Sequence, residues 1–233
     1  MKRFLIITLS ILFTLTLSIS LLFREDSIAS TPNKTYTVVL DAGHGGIDGG
    51  ASGVKTGNKE SDINLSIVKL LQNYLSNSNI KVVLTRETED GLYGSTESGF
   101  KRRDMLKRRE IALSCHADLL ISVHMNKFPL SSRRGAQVYY QKGDEKSHTF
   151  AKYVQKTLNQ NINIPQQNRG FDSSSGDFWM CKILSPSIIV ECGFLSNEKD
   201  DALFNTLAYR KEVAYYLYNG IISYLVCEKS FVT

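Results

Sequence analysis

Four side chains that could bind a metal ion or move a proton stand at the ends of predicted secondary-structure elements. His44 lies in a glycine-rich turn after the apolar run Val38–Leu40, and His124 ends the apolar run LLISVH. Glu60 opens a predicted helix just past the glycine-rich turn, and Glu191 closes the apolar run SIIVE. Because the carboxyl ends of parallel strands meet at one edge of an α/β sheet, we expect these side chains to approach one another.

Two histidines and one carboxylate from three separate segments form a ligand set that is typical of catalytic zinc. Such a site takes three protein ligands and leaves a fourth position for water. We therefore interpret His44, Glu60 and His124 as candidate ligands of one zinc ion. Glu191, close to that water, would act as a general base that takes a proton while the water attacks a carbonyl.

Each of these residues also has a structural interpretation that involves no metal. His44 could cap the glycine turn, and His124 could be a hydrogen-bonded core histidine. Glu60 could be a carboxylate favoured at the positive end of a helix, and Glu191 could pair with an arginine such as Arg86. The spacing contains no HExxH or CxxC motif, so residue types alone leave these alternatives open.

Two further histidines and a competing motif are set aside. His116 falls at a helix-to-strand corner and His148 in an exposed helical turn, so we predict that neither is a ligand. The glycine-rich turn could also cradle a phosphate, but it lacks the GKS or GKT ending of nucleotide-binding loops.

The apolar patterning predicts a single α/β domain, with a mostly parallel twisted sheet of about six strands and helices on both faces. The segment 177–184 fits both a helix and a strand, and we favour a strand; 161–176 is predicted as a loop. Asn197 is a candidate cap for the helical C-terminal segment, which ends near Cys227. The predicted strands are 35–41, 80–85, 119–124, 135–141, 177–184 and 187–191, and the predicted helices before the C-terminal segment are 60–77, 101–114 and 146–159.

The amino-terminal residues predict export. Lys2 and Arg3 precede the twenty uncharged residues Phe4–Phe23, a length that suits a membrane span better than a signal-peptide core. We expect 1–29 to be a membrane anchor with its amino end in the cytoplasm, or a cleaved signal peptide ending near Ala29. The exported domain then covers 35–227.

Charge and cysteine usage narrow the function class. The net charge of +5 reflects a local run, Lys101–Glu110, with six basic and two acidic residues. We interpret this run as a helix with its basic residues facing solvent and predict no nucleic-acid partner, although a basic surface also suits an anionic wall polymer.

The four cysteines follow no metal-binding spacing, and most are expected to be small buried residues. They are Cys115, Cys181, Cys192 and Cys227.

Four ordered sequence blocks resemble the signatures of zinc-dependent N-acetylmuramoyl-L-alanine amidases. These blocks are LDAGHGGIDGGA with His44, KESDINL with Glu60, LISVHMN with His124 and IIVECGFLSN with Glu191. The likeness runs from about Tyr36 to Leu225. It implies one zinc ion held by the first three residues and Glu191 as the catalytic base. It also implies hydrolysis of the peptidoglycan amide between the lactyl group of N-acetylmuramic acid and the L-alanine of the stem peptide.

Within that family the chain is most similar to the short sporulation amidases of the CwlD type. This likeness implies removal of stem peptides ahead of muramic-δ-lactam formation in the spore cortex, and a possible lipoprotein partner. Many relatives have alanine in place of Met125 and asparagine in place of Ser114, and Met125 is expected to narrow the site. A catalytically silent peptidoglycan-binding module and a zinc peptidase of the wall are the alternatives.

Overall fold

A computed structural model describes residues 35–78, 80–163 and 172–230 of the chain. In this part, six strands and five α-helices alternate along most of the sequence, together with a 3-10 helix at Trp179–Lys182. The strands are β1 (Thr37–Ala42), β2 (Lys81–Leu84), β3 (Leu119–Asn126), β4 (Gln137–Gln141), β5 (Ser174–Gly176) and β6 (Ser187–Phe194). The helices are α1 (Glu60–Ser76), α2 (Phe100–Ser114), α3 (Glu145–Asn161), α4 (Glu198–Phe204) and α5 (Leu207–Ser230).

The six strands form one sheet in the order β2-β1-β3-β6-β4-β5. The first four strands of this order run parallel to one another. β4 pairs antiparallel with β6, and β5 runs parallel to β4. The carboxyl ends of β1, β3 and β6 therefore lie side by side at one edge of the sheet, where an α/β fold places its chemistry.

Both faces of the sheet are covered, which explains why the central strands are apolar without strict alternation. On one face, Val38 and Leu40 of β1 pack in a large core with α1, α3 and α5. On the other face, Val39 packs in a smaller core with Ala112 of α2 and Met180 of the 3-10 helix. The predicted α/β domain with helices on both faces is confirmed.

Two expectations for individual segments were wrong, and the expected cap at Asn197 is confirmed. The segment 177–184 forms the 3-10 helix in place of a strand, held by i→i+3 bonds such as the one from the amide of Cys181 to the carbonyl of Phe178. The predicted loop at 161–176 contains the short edge strand β5. The C-terminal helical segment is two helices, and Asn197 caps the first of them by accepting from the amides of Lys199 and Asp200.

The predicted anchor or signal segment, 1–29, lies outside the described residues, so that expectation stays a prediction. Within the described ranges, no helix combines the length and the apolar character needed to cross a membrane.

Candidate metal centre

His44, Glu60 and His124 meet at the carboxyl edge of the sheet. Nε2 of His44 lies 3.1 Å from Oε1 of Glu60, and Nδ1 of His124 lies 3.0 Å from the same oxygen. The two imidazole rings pack edge to face with their centroids 5.0 Å apart. One donor atom from each of the three residues falls within a group spanning at most 4.8 Å, which places all three within reach of one ion.

Glu60 reaches this position because it is the first residue of α1 and its carboxylate is held by backbone donors. The amide of Ala51 donates to Oε2 at 2.8 Å, and the amide of Met125 donates to Oε1 at 3.1 Å. Burial works to raise the pKa of Glu60, but His124 and His44 outweigh burial and lower the pKa well below its ordinary value. Glu60 is therefore ionised and available as an anionic ligand at neutral pH.

His44 is presented by a turn in which it adopts a left-handed backbone conformation with a φ of +62°. Its second ring nitrogen, Nδ1, lies 3.1 Å from Oδ2 of Asp48, an ion-pair contact without the alignment of a hydrogen bond, and Nε2 is directed toward Glu60. Burial lowers the pKa of His44, but the carboxylates of Glu60 and Asp48 outweigh burial and raise it. Metal-binding histidines commonly have a carboxylate near the far nitrogen, where it orients the ring.

Two glycines lie so close to the three candidate ligands that a side chain at either position would overlap with them. A Cβ atom on Gly43 would lie 2.2 Å from Cε1 of the His124 ring. A Cβ atom on Gly50 would lie 2.5 Å from Oε2 of Glu60 and 2.8 Å from Cδ2 of His44. The glycine-rich turn therefore forms one wall of this cluster, where larger residues would displace the candidate ligands.

Glu191 lies beside His124 because the two residues are paired across the parallel strands β3 and β6. Its Oε2 atom makes no hydrogen bond with any described residue. Burial raises the pKa of Glu191 to about 7; His124 and His44 oppose the rise, and the carboxylate of Glu60 adds to it. A carboxyl group that ionises near neutral pH beside a candidate metal centre suits acid–base chemistry.

The suggested pairing of Glu191 with Arg86 was wrong. The guanidinium of Arg86 instead donates to four backbone carbonyls, those of Ala42, Gly43, Ser61 and Thr88. Arg86 therefore stabilises the backbone around the cluster and does not form an ion pair with Glu191.

A cleft of about 280 Å³ extends from the two histidines along the α2 side of the sheet. Asp48 and Lys101 lie at its rim, and their side chains form an ion pair at 3.3 Å. Its walls are mostly apolar and aromatic, contributed among others by Tyr93, Phe100, Met105, Phe178, Trp179 and Met180. The cleft therefore opens onto the two candidate histidine ligands.

Met125 does not narrow this cleft, contrary to expectation. Its side chain is buried in the core on the opposite side of the sheet, among residues of α1. Ser114 ends α2 and donates to the carbonyl of Ile111 at the surface.

Among the remaining histidines, His148 stacks on Tyr140 and His116 occupies the corner after α2, and neither joins the metal-binding group.

Sequence reasoning missed Arg108, which is 1% exposed although the basic run was expected to face solvent. Its guanidinium forms ion pairs with Asp41 at 2.6 Å and with Asp104 at 2.5 Å. A usable signal was present, since Arg108 falls on the same helical face as Met105 and Ala112, three and four residues away. Asp41, an acid ending an apolar strand, was the matching signal for a buried cation.

Comparison with known proteins identifies the relatives of this fold and cluster. A family model described as N-acetylmuramoyl-L-alanine amidase matches residues 38–223. The germination-specific N-acetylmuramoyl-L-alanine amidase of Bacillus subtilis is 32% identical over 198 residues, covering 84% of this chain and 82% of the relative. The amidase LytC of the same organism is 30% identical over 191 residues, which cover 81% of this chain but only 35% of LytC.

Solved structures give the same result. The CwlD amidase from Clostridioides difficile, in complex with the GerS lipoprotein, is 35% identical with a TM-score of 0.78, covering 83% of this chain and all of that chain. The catalytic domain of CwlV from Bacillus (Paenibacillus) polymyxa is 27% identical with a TM-score of 0.71 over 82% of this chain and 98% of that chain.

Proposed function

Because this chain belongs to the N-acetylmuramoyl-L-alanine amidase family, we propose that His44, Glu60 and His124 hold one zinc ion and that Glu191 is the catalytic base. The family is one of hydrolases, and the bond concerned is the amide between the lactyl group of N-acetylmuramic acid and the L-alanine of the stem peptide. The observation that carries the proposal is the convergence of three donor atoms within 4.8 Å, beside a carboxyl group with an unpartnered oxygen.

The donor set suits zinc. Two imidazole nitrogens and one carboxylate oxygen are a recurrent catalytic zinc ligand set, and three protein ligands leave a coordination position open. Gly43 and Gly50 keep clear the space around these donors. Asp48, on the far nitrogen of His44, supplies the outer carboxylate that metal-binding histidines commonly have.

The protein's own groups supply the rest of the chemistry. When bound, zinc supplies a Lewis acid that polarises the scissile carbonyl and makes water easier to deprotonate. Glu191 takes the proton from the attacking water and returns it to the nitrogen of the departing L-alanine, so the carboxyl group begins and ends the reaction ionised. In the metal-free protein the pKa of Glu191 is about 7, which is close to the neutral pH at which both transfers would take place.

Two alternative functions are compatible with the same site residues. A peptidoglycan-binding module has no need of Glu191, and burying its Oε2 atom without a hydrogen-bond partner is costly, which favours an enzyme. A zinc peptidase of the wall would use identical metal chemistry. The amidase family membership favours the lactyl amide over a peptide–peptide bond.

The relatives support a proposal for the biological setting. We propose that residues 35–227 form the catalytic domain, that 1–29 anchor it or direct its export, and that it acts on peptidoglycan outside the cytoplasm. The germination-specific relative supports a role in the spore cortex, where stem-peptide removal precedes muramic-δ-lactam formation. The CwlD amidase in complex with GerS supports a lipoprotein partner for this chain as well.

Digestion of purified peptidoglycan tests the reaction. The protein, loaded with zinc and supplied with a lipoprotein partner where one is required, is expected to release stem peptides whose new amino terminus is L-alanine. Mass spectrometry of the products should show glycan strands with free lactyl groups. A different new amino terminus would indicate a peptidase, and intact peptidoglycan with stoichiometric zinc would indicate a binding module.

A further inference from the structure

We propose that Arg108 is a positioning residue that holds the backbone of His44 so that its imidazole faces the metal. The inference rests on the proposed zinc site and concerns a residue that neither binds the ion nor acts on the substrate. It connects the buried face of α2 to the turn that presents the first candidate ligand.

The guanidinium of Arg108 has an acceptor on each of its three nitrogens. Nη2 donates to the carbonyl of His44 at 2.6 Å, and Nη1 donates both to the carbonyl of Ala42 and to Oδ1 of Asp41, each at 2.6 Å. Nε donates to Oδ2 of Asp104 at 2.5 Å. A planar, rigid fork that is filled on every nitrogen fixes the positions of its acceptors relative to one another.

The turn needs such a fastening because of its backbone conformation. His44 has a φ of +62°, a left-handed conformation that side chains with a Cβ rarely adopt and that the surrounding structure must hold. Three successive carbonyls of the turn accept hydrogen bonds from buried guanidinium groups. Arg86 and Arg108 both donate to the carbonyl of Ala42. Arg86 also donates to the carbonyl of Gly43, and Arg108 to that of His44. The φ of His44 and the direction of its ring therefore depend on donors that lie beneath the turn.

The charge of Arg108 is balanced locally, which allows it to be buried. Asp41 is fully buried and accepts from Ser122 and from Thr85, in addition to Arg108. Asp104 accepts from the amide of Leu92 as well as from Arg108. Arg108 thus belongs to a complete hydrogen-bonded network, and its contact to the carbonyl of His44 connects that network to the metal-binding turn.

A lysine at this position separates charge from positioning. Arg108→Lys keeps a cation near Asp41, but a single ammonium on a flexible chain cannot reproduce the fork that also reaches the carbonyl of His44. Outer contacts to metal ligands typically change metal affinity or activity by about 10- to 100-fold. We therefore expect the full-length Arg108→Lys protein to bind zinc about 10-fold more weakly or worse, with kcat reduced more than KM is raised.

Zinc affinity, measured by competition with a chromophoric chelator, is the primary readout, because it does not depend on turnover. The absorption spectrum of the cobalt-loaded protein is expected to change as well, since it reports ligand geometry. Arg109→Lys is the matched control, an exposed neighbour on the same helix that should leave both readouts unchanged. Thr85→Val is the stability control, because it removes a hydrogen bond to Asp41 without touching His44.

A purely structural role predicts a different pattern. In that case Arg108→Lys and Thr85→Val would both lower the melting temperature and leave zinc affinity at the wild-type value. A zinc dissociation constant raised at least fivefold in Arg108→Lys, and not in Thr85→Val, supports positioning; a smaller change overturns it. If Arg108→Lys does not fold, Asp104→Asn weakens the Nε contact from the other side and should raise the dissociation constant at least threefold; an unchanged value overturns the inference.

Glu60→Ala separates this inference from the proposed zinc site. Loss of zinc binding in Glu60→Ala with wild-type affinity in Arg108→Lys would contradict the positioning role alone. Unchanged zinc binding in Glu60→Ala would contradict the zinc site on which the positioning role rests.

Discussion

Replacing Gly43 with alanine tests how closely the glycine-rich turn is fitted to the candidate metal centre. The added Cβ would lie 2.2, 2.3 and 2.6 Å from Cε1, Nε2 and Nδ1 of His124, where ordinary contact begins at 3.4 Å. The shortest distance implies a displacement of about 1.2 Å. The backbone cannot easily retreat, because the amide of Gly43 donates to the carbonyl of Val123 and its carbonyl accepts from Arg86 and Asn64.

We therefore expect the ring of His124 to move by much more than about 0.2 Å, the margin within which metal–ligand distances of a sound site agree with standard values. A misplacement of about 1 Å can cost about 100-fold in catalysis, so we predict that Gly43→Ala lowers both zinc affinity and kcat/KM by about that factor. Chelator competition and initial rates on peptidoglycan measure the two quantities.

The matched control for this substitution is Gly49→Ala, in the same turn. Its Cβ would approach nothing closer than Cδ of the flexible Lys59 side chain, at 3.3 Å, so zinc affinity should stay within threefold of wild type. Thermal unfolding in the presence of a chelator should show that both variants fold. Wild-type zinc affinity in Gly43→Ala would refute the fitted geometry on which the candidate site depends.

Three further predictions concern the carboxyl groups of Glu191 and Asp41. Glu191→Gln should retain stoichiometric zinc and lose turnover by about 100- to 10,000-fold, measured by peptide release from peptidoglycan; comparable rates would contradict the assigned base. Because the pKa of Glu191 is raised from 4.5 to about 7, ionisation of this carboxyl group lowers the free energy of unfolding as pH rises through that window, by about 3 kcal/mol at pH 8. Metal-free Glu191→Gln should therefore unfold at a higher temperature than the metal-free wild type at pH 8. A lower unfolding temperature would contradict the pKa shift. Burial works to raise the pKa of Asp41, but Arg108, Ser122 and Thr85 outweigh burial and lower the pKa from 3.8 to about 2. The charged form of Asp41 therefore contributes about 2 kcal/mol to the free energy of unfolding above pH 4, and this contribution is lost as pH falls to 2. The difference in unfolding free energy between wild type and Asp41→Asn, measured by denaturant titration, should therefore shrink by about that amount from pH 4 to pH 2, and a constant difference would refute it.

Much of the fold could be predicted because its central strands are apolar and end at polar residues. The run before Asp41 and the run before His124 form adjacent parallel strands, as the alternation of strands and helices implied. The reversed direction of β4 was not predictable in this way, because an apolar run carries no information on its partner's direction. The segment 177–184 was misassigned for a related reason, since a short apolar run fits a helix and a strand equally well.

Some residues of the candidate site could be predicted from the sequence and one was missed. His44, Glu60 and His124 could be inferred because each stands where an element begins or ends, and the edge of a parallel sheet brings such positions together. Arg108 was missed although it shares a helical face with Met105 and Ala112, because its partner Asp41 is 67 residues away and the surrounding basic run suggested a solvated surface. Composition describes the average exposure of a helix and gives no indication of a single cation paired beneath it.

The central claim is that one zinc ion is bound by His44, Glu60 and His124, and anomalous X-ray scattering at the zinc edge from crystals of the zinc-loaded protein tests it most directly. One peak is expected, about 2.0–2.2 Å from Nε2 of His44, a carboxylate oxygen of Glu60 and Nδ1 of His124. A peak bound by other residues, or none at these three in protein that retains stoichiometric zinc, would contradict the account.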